Sequence, residues 1–160
     1  MLIIDGDYPM AIGALHWDRD LSWELDRIRT AEPGTVKGGS WPDAYAMACL
    51  PEMRKAQIAA ALVKVVSCVK RPGHPHGEYR TQNIAYAGSM GQLAYYRLLE
   101  SQGEAKVLAT REGFAAHIAA WSKTTDHSGM PVGLVIGMEG ADAIVWPEQV
   151  DEWWSNGLRV

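Results

Sequence analysis

The chain predicts an α/β fold, a parallel sheet with helices on its faces. Three features point there. Short apolar runs at residues 2–5, 58–69 and 132–139 are bounded by turn residues, as strands buried on both faces are. Between them lie stretches whose apolar residues recur every three or four positions, the helical period. Strand and helix then alternate along the chain, the order that builds parallel sheets.

Taken in order, Leu2-Ile3-Ile4 forms the first strand and Asp5-Gly6-Asp7 closes it. Residues 5–13, with Gly6, Pro9 and Gly13, read as a loop. Ser22 is placed to cap a helix from Trp23 to about Arg29, stopped by Glu32-Pro33-Gly34. Lys37-Gly38-Gly39-Ser40 sits in a Gly-rich stretch. It lacks the Gly-Lys-Ser/Thr ending of a phosphate-binding loop and reads as a turn. Residues 42–53 suit a short helix limited by Pro51. In residues 58–69, Ala59-Ala60-Ala61 favours helix while Val63, Val65 and Val66 favour strand, and the turn residues on either side tilt the reading to strand.

Residues 70–79 are a loop holding Pro72, Gly73, Pro75 and Gly77. Thr81 caps the clearest long helix, with Ile84, Ala87, Gly91, Ala94, Tyr95 and Leu98 at helical spacing and Gly103 as its stop. Val107-Leu108 is a brief extended piece. Thr110 caps a second helix with Phe114, His117, Ile118 and Trp121 on one stripe, and residues 124–131 form a loop. The strand at 132–139 follows. Pro147 suits the first turn of a last helix, with Val150, Trp153 and Trp154 on one face and Gly157 as its stop. Leu158-Arg159-Val160 reads as a new strand starting.

Composition bounds the function. The 160 residues fit one domain, residues 1–160, and are 48% hydrophobic, enough for a sizeable core. A net charge of −4 with no basic stripe argues against a nucleic-acid partner, and nothing calls for an anionic membrane. The apolar stretch 56–69 is too short to span a bilayer and is interrupted by Lys64. Two cysteines, Cys49 and Cys68, imply no disulfide framework. The start shows no basic segment followed by a long apolar one, so the expected location is cytoplasmic.

The candidate site residues are acids at strand ends. Glu139 closes an apolar run and Gly140 follows, which is where open α/β sheets and α/β barrels place their chemistry. Asp7 stands at the end of the first run, so two acids from two strands could share a metal site. Asp5 reads as structural, holding the Gly6 turn through bonds to backbone N–H groups. Lys64 within an apolar strand either meets an anion at the strand mouth or extends its ammonium outward at the edge, and the second is the simpler reading. His74, His76 and Cys68 offer three zinc-type donors at no recognised spacing, and read as a loop with chance histidines. His117 reads as a buried histidine with a satisfied hydrogen bond, and Asp126 and His127 as loop surface. No Gly-x-Ser-x-Gly occurs, and no Ser-His-Asp or Cys-His signature supports covalent catalysis.

Five stretches in register carry a family resemblance. They are Leu2-Ile3-Ile4-Asp5-Gly6, Ala14-Leu15-His16-Trp17-Asp18-Arg19-Asp20-Leu21, Leu50-Pro51-Glu52-Met53-Arg54-Lys55-Ala56, Ala94-Tyr95-Tyr96-Arg97 and Ile136-Gly137-Met138-Glu139-Gly140-Ala141. Together the chain resembles the N-terminal half of the renal (membrane) dipeptidase family of zinc metallopeptidases. The resemblance implies a TIM-type (β/α) barrel, present as about its N-terminal half, with three to four parallel strands and flanking helices. A whole barrel of this kind takes roughly 250 residues.

In that family the Glu of the Glu-Gly-Gly/Ala ending bridges two zinc ions, a role that falls on Glu139. The family's first strand ends in Asp-Gly/Ala-His-x-Asp, whose His and second Asp bind one zinc. Here Asp7 stands at the His position and Pro9 at the Asp position. With two residues deleted, Asp7 matches the second Asp instead. Either way the His is missing and Asp7 is the remaining candidate ligand. The family's other histidine ligands, its catalytic Asp and its substrate-binding residues belong to the second half, so no catalytic residue is assigned in this chain.

The activity implied is hydrolysis of dipeptides or small peptide-like substrates by a metal-bound hydroxide, with one or two zinc ions. This portion is then inactive alone. The alternative is a barrel that has lost or altered its metal and acts as a binding scaffold. A self-contained small α/β binding module is a third reading. Open strand edges predict association, with the missing C-terminal half or with a second copy.

Overall fold

The computed structural model describes residues 1–32, 46–72 and 79–160. The expectations for residues 37–40, His74 and His76 lie outside the described residues. Four strands, β1 (Ile3–Tyr8), β2 (Ile58–Val66), β3 (Ala105–Val107) and β4 (Val132–Glu139), form one parallel sheet in the order β1-β2-β4-β3. Among the described residues there are six helices, five between the strands and one after β4: α1 (Met10–Trp17), α2 (Leu25–Ala31), α3 (Leu50–Lys55), α4 (Gln82–Ser101), α5 (Arg111–Trp121) and α6 (Gln149–Ser155). Among the described residues no helix is long and apolar enough to cross a membrane.

The short β3 pairs only with the start of β4, Ala105 with Val132 through Val107 with Leu134. Further along the same edge the chain's last residues take over. Leu158 pairs in parallel with Ile136, Arg159 N–H donates to the Ile136 carbonyl at 2.8 Å, and Met138 N–H to Val160 at 2.8 Å. The main strands therefore run β1, β2, β4 and the segment at 158–160, in chain order.

The two faces of this sheet differ. On β2, Ala59, Ala61, Val63 and Val65 are fully buried, as are Val132, Leu134 and Ile136 of β4. Helices α1, α3 and α4 pack against β2, and Met10, Ala11, Leu50, Met53, Leu93, Tyr96 and Leu99 complete this core. On the second face Ala60, Gly133 and Gly137 are buried, and the burial is deepest at the N-terminal end. There α5 approaches Gly133, where any added side chain would meet Leu108 and His117. Beyond it Leu62, Lys64, Val66 and Val135 are partly exposed, and Ile4 is 56% exposed.

Several elements depart from the sequence reading. Residues 5–13 are not a loop: β1 continues to Tyr8 and α1 starts at Met10. Pro9 sits just before the first turn, where its missing N–H costs nothing, and burial of Met10, Ala11 and Ala14 outweighs Gly13. Ser22 is not a cap. Its N–H and hydroxyl both bond to Asp20 Oδ1, and α2 begins at Leu25. Pro51 opens α3 rather than limiting a helix. Pro147 precedes α6 instead of lying in its first turn, and of its apolar trio only Trp153 is buried.

The caps of α4 and α5 are as read. Thr81 accepts from Ile84 N–H, Thr110 accepts from Gly113 N–H, and Gly103 is left-handed at φ +78°. The buried face of α4 is nonetheless rotated from the apolar stripe. Ile84 and Leu98 are exposed, while Ala85, Ser89, Gln92, Leu93, Tyr96 and Leu99 face inward.

His117 is buried and its Nε2 lies 2.8 Å from the Ala59 carbonyl. Because a carbonyl only accepts, Nε2 carries the proton. Burial pulls the imidazole below its ordinary range, so the neutral ring is favoured. His127 is not loop surface: it is buried, stacked on Trp121 at 4.6 Å, with Nε2 3.1 Å from the Trp121 carbonyl.

Candidate functional site at the strand ends

Three neighbouring strands bring Asp7, Lys64 and Glu139 together. The Lys64 Nζ donates to Asp7 Oδ1 at 2.8 Å and to Glu139 Oε2 at 3.3 Å. Of the two sequence readings of Lys64, the one that meets an anion at the strand mouth holds. The lysine side chain is 22% exposed, against 65% for Asp7 and 56% for Glu139, and its ammonium sits between the two acids.

Each position follows from local structure. Lys64 pairs in register with Gly137 and Val66 with Glu139, so these residues share the partly exposed face. Gly137 places no side chain beside the lysine stem. Glu139 is the last residue of β4, and Gly140 turns the chain at φ +76°, a conformation that suits glycine. Asp7 lies inside β1 rather than in a loop. Asp5 Oδ1 accepts from Asp7 N–H at 3.0 Å, the structural role read for Asp5.

The sequence reading missed the residues that hold this arrangement from behind. Tyr96 of α4 donates its hydroxyl to the Lys64 carbonyl at 2.7 Å and accepts from Ala11 N–H at 3.1 Å. Burial pushes this phenol well above its ordinary range, so it keeps its proton. Gln92 bonds both polar groups of the Val66 backbone: Val66 N–H donates to Oε1 at 2.8 Å and Nε2 donates to the Val66 carbonyl at 2.6 Å. Val66 lies beyond the last β1 pair, Tyr8 with Val63, and Gln92 does what a neighbouring strand would. Asp142 ties the loop after Glu139 to the segment after β2. It accepts from Val69 N–H at 2.9 Å and pairs with the Arg71 guanidinium. No sequence signal marked Gln92 or Tyr96, since their burial depends on their partners on β2.

The electrostatics favour a charged lysine. The hydrogen bond to Asp7, and then that to Glu139, hold its pKa above the ordinary lysine value against the opposing effect of desolvation. A nucleophilic neutral amine is not what this environment selects.

The donor set does not fit a zinc centre. Asp7 and Glu139 are both engaged by one ammonium, and no group of three or more His, Cys, Asp or Glu among the described residues could hold a metal ion. A separate cleft of about 370 Å³ lies by Gln57 and His127, at the other ends of the strands. Of its charged side chains, Lys55 pairs with Glu24 and Glu52 and Arg54 with Glu104, while Asp126 accepts from Ser128 N–H.

No protein-family model matches the chain. No curated protein matches it in sequence. Solved structures do match in fold. One is dipeptidase AC, a metallopeptidase, with a TM-score of 0.61 and 18% identity over 99% of this chain and 41% of that one. Another is a metallopeptidase from Rhodobacter sphaeroides liganded with a phosphinate mimic of the dipeptide L-Ala-D-Ala, with a TM-score of 0.59, 17% identity, and coverage of 99% and 44%. The chain spans less than half the length of either, and over that span it has the fold of these metallopeptidases.

Proposed function

We propose that the chain is the N-terminal portion of a (β/α) barrel of the dipeptidase kind, and that its strand ends form binding surface for a small peptide-like ligand rather than a hydrolytic centre. The observation that carries the barrel reading is the uncovered half of the second sheet face. Parallel sheets are stable when both faces are covered. Here Ile4, Leu62, Val66 and Val135 line a face that is partly open, below three charged strand ends. The rest of a barrel would cover it, in keeping with the 41–44% of two solved metallopeptidases that this chain matches.

The non-hydrolytic reading is supported by the donor set. Two acids shared with an ammonium leave no ligands for a binuclear zinc site, so no step of a metal-hydroxide reaction is assigned to these residues. A metallohydrolase is the second reading. It is favoured by the fold of the two metallopeptidases, and it requires ligands from outside the residues described.

Turnover by the chain itself would favour the second reading. With zinc supplied in excess, the chain is expected to cleave L-Ala-D-Ala no faster than buffer, as followed by release of free alanine. Zinc-dependent turnover that disappears in Glu139→Gln would establish the hydrolase instead.

A further inference from the structure

Asp7 and Glu139 come from the two strands that flank β2, and both direct an oxygen at the same point in space. That point holds the ammonium of Lys64, 2.8 Å from one oxygen and 3.3 Å from the other. We propose that Lys64 is the resident cation of these strand ends, filling the place that a divalent metal ion would otherwise take, so that the site is closed to metal while the lysine is present. The proposal deepens the reading of this site as a barrel mouth without a hydrolytic centre and rests on it.

Three observations support it. First, the two acids need a cation. Without one, their charges would face a common point uncompensated, and like charges so placed raise each other's energy. Second, the lysine is positioned rather than wandering. Its carbonyl is held by Tyr96, and its side chain is far less exposed than either partner's. Third, exposed ion pairs contribute little to stability because water and salt screen them. The cluster is therefore poorly explained as a fold-stabilising device, and its position at the strand ends is the better guide to its role.

The chemistry of the remaining donors sets the class of ion. With the lysine neutralised, two carboxylates and water form an all-oxygen site. Such a site suits a hard divalent cation such as manganese better than zinc, which prefers nitrogen and sulfur. The geometry thus points to a latent manganese-type site masked by a side chain.

The test is a calorimetric titration of the 160-residue chain with manganese chloride alone. Wild type is expected to show no saturable binding in the low millimolar range. Lys64→Met, which keeps an unbranched stem without the charge, is expected to bind one ion at least tenfold more tightly, and Glu139→Gln added to it should remove that gain. Binding of one equivalent by wild type with the affinity of Lys64→Met would overturn the proposal, and so would a folded Lys64→Met with no gain.

A second measurement does not depend on the variant folding. In wild type, stoichiometric manganese should leave the carboxylate carbon resonances of Asp7 and Glu139 unbroadened; selective broadening of both would overturn the proposal. A closed, self-sufficient monomer would remove the barrel reading and leave this titration standing. Metal seated on wild type would remove the resident-cation inference without bearing on how the sheet is completed.

Discussion

Trp121→Ala is expected to lower stability by about 3–5 kcal/mol, the range for deleting a fully buried indole. The side chain is fully buried at the end of α5, and its Nε1 donates to the Pro131 carbonyl at 3.0 Å. Its ring stacks on His127 with planes 12° apart, and His127 bonds back to the Trp121 carbonyl. Removing the indole empties a large volume and leaves the Pro131 carbonyl without its donor. It also loosens the lead into β4, the strand that carries Glu139. Urea unfolding of wild type and variant would measure the loss. A change under about 1 kcal/mol, well outside the usual cost of such a truncation, would mean that α5 is not anchored as described.

The second large effect is at Gln92. Gln92→Leu keeps the volume of the side chain and deletes both of its bonds to the Val66 backbone. Each buried backbone group left without a partner costs about 1–3 kcal/mol, and because Val66 is only part-buried the loss expected for the two lies in the lower part of that sum, roughly 2–4 kcal/mol. The contrast lies on the exposed stripe of the same helix. Leu98→Ala and Ile84→Ala remove exposed apolar groups and should each stay within roughly 0.5 kcal/mol of wild type. Chemical denaturation of the three variants would decide which stripe of α4 faces the sheet. An ordering with Leu98→Ala as the most damaging would favour the apolar stripe over the polar one.

The contrast at α4 also shows what was legible in the sequence. The helix, its Thr81 cap and its Gly103 stop were readable because caps are local chemistry. The buried face was not, because Gln92 and Tyr96 are buried by what they bond to on β2, and bonding partners 26 and 32 positions apart leave no periodic trace. The same division holds elsewhere. The strand ending at Glu139 was clear from its apolar run, whereas α1 was hidden by Pro9 and Gly13, two local loop signals that burial against β2 and α4 overrides. The chain order of strands was legible, but the placing of β3 beyond β4 depends on pairing alone.

The candidate site divides in the same manner. Asp7 and Glu139 could be found from strand ends and from the family resemblance. Their joint partner could not. A lysine in an apolar strand has two escapes, outward to water or along the face to an anion, and only the register that sets Lys64 beside Gly137 and one step from Glu139 chooses between them. His127 illustrates the converse: a polar residue in a turn-rich stretch reads as surface, yet stacking on Trp121 buries it.

The central claim is that the open half of the sheet belongs against further polypeptide. Sedimentation velocity of the purified 160-residue chain over a hundredfold dilution tests it most directly. The account predicts that the chain associates, with species larger than a monomer that dissociate or aggregate as concentration changes, because Ile4 and its neighbours and the outer strand edges seek cover. A single compact monomer, unchanged and soluble across the whole series, would contradict it.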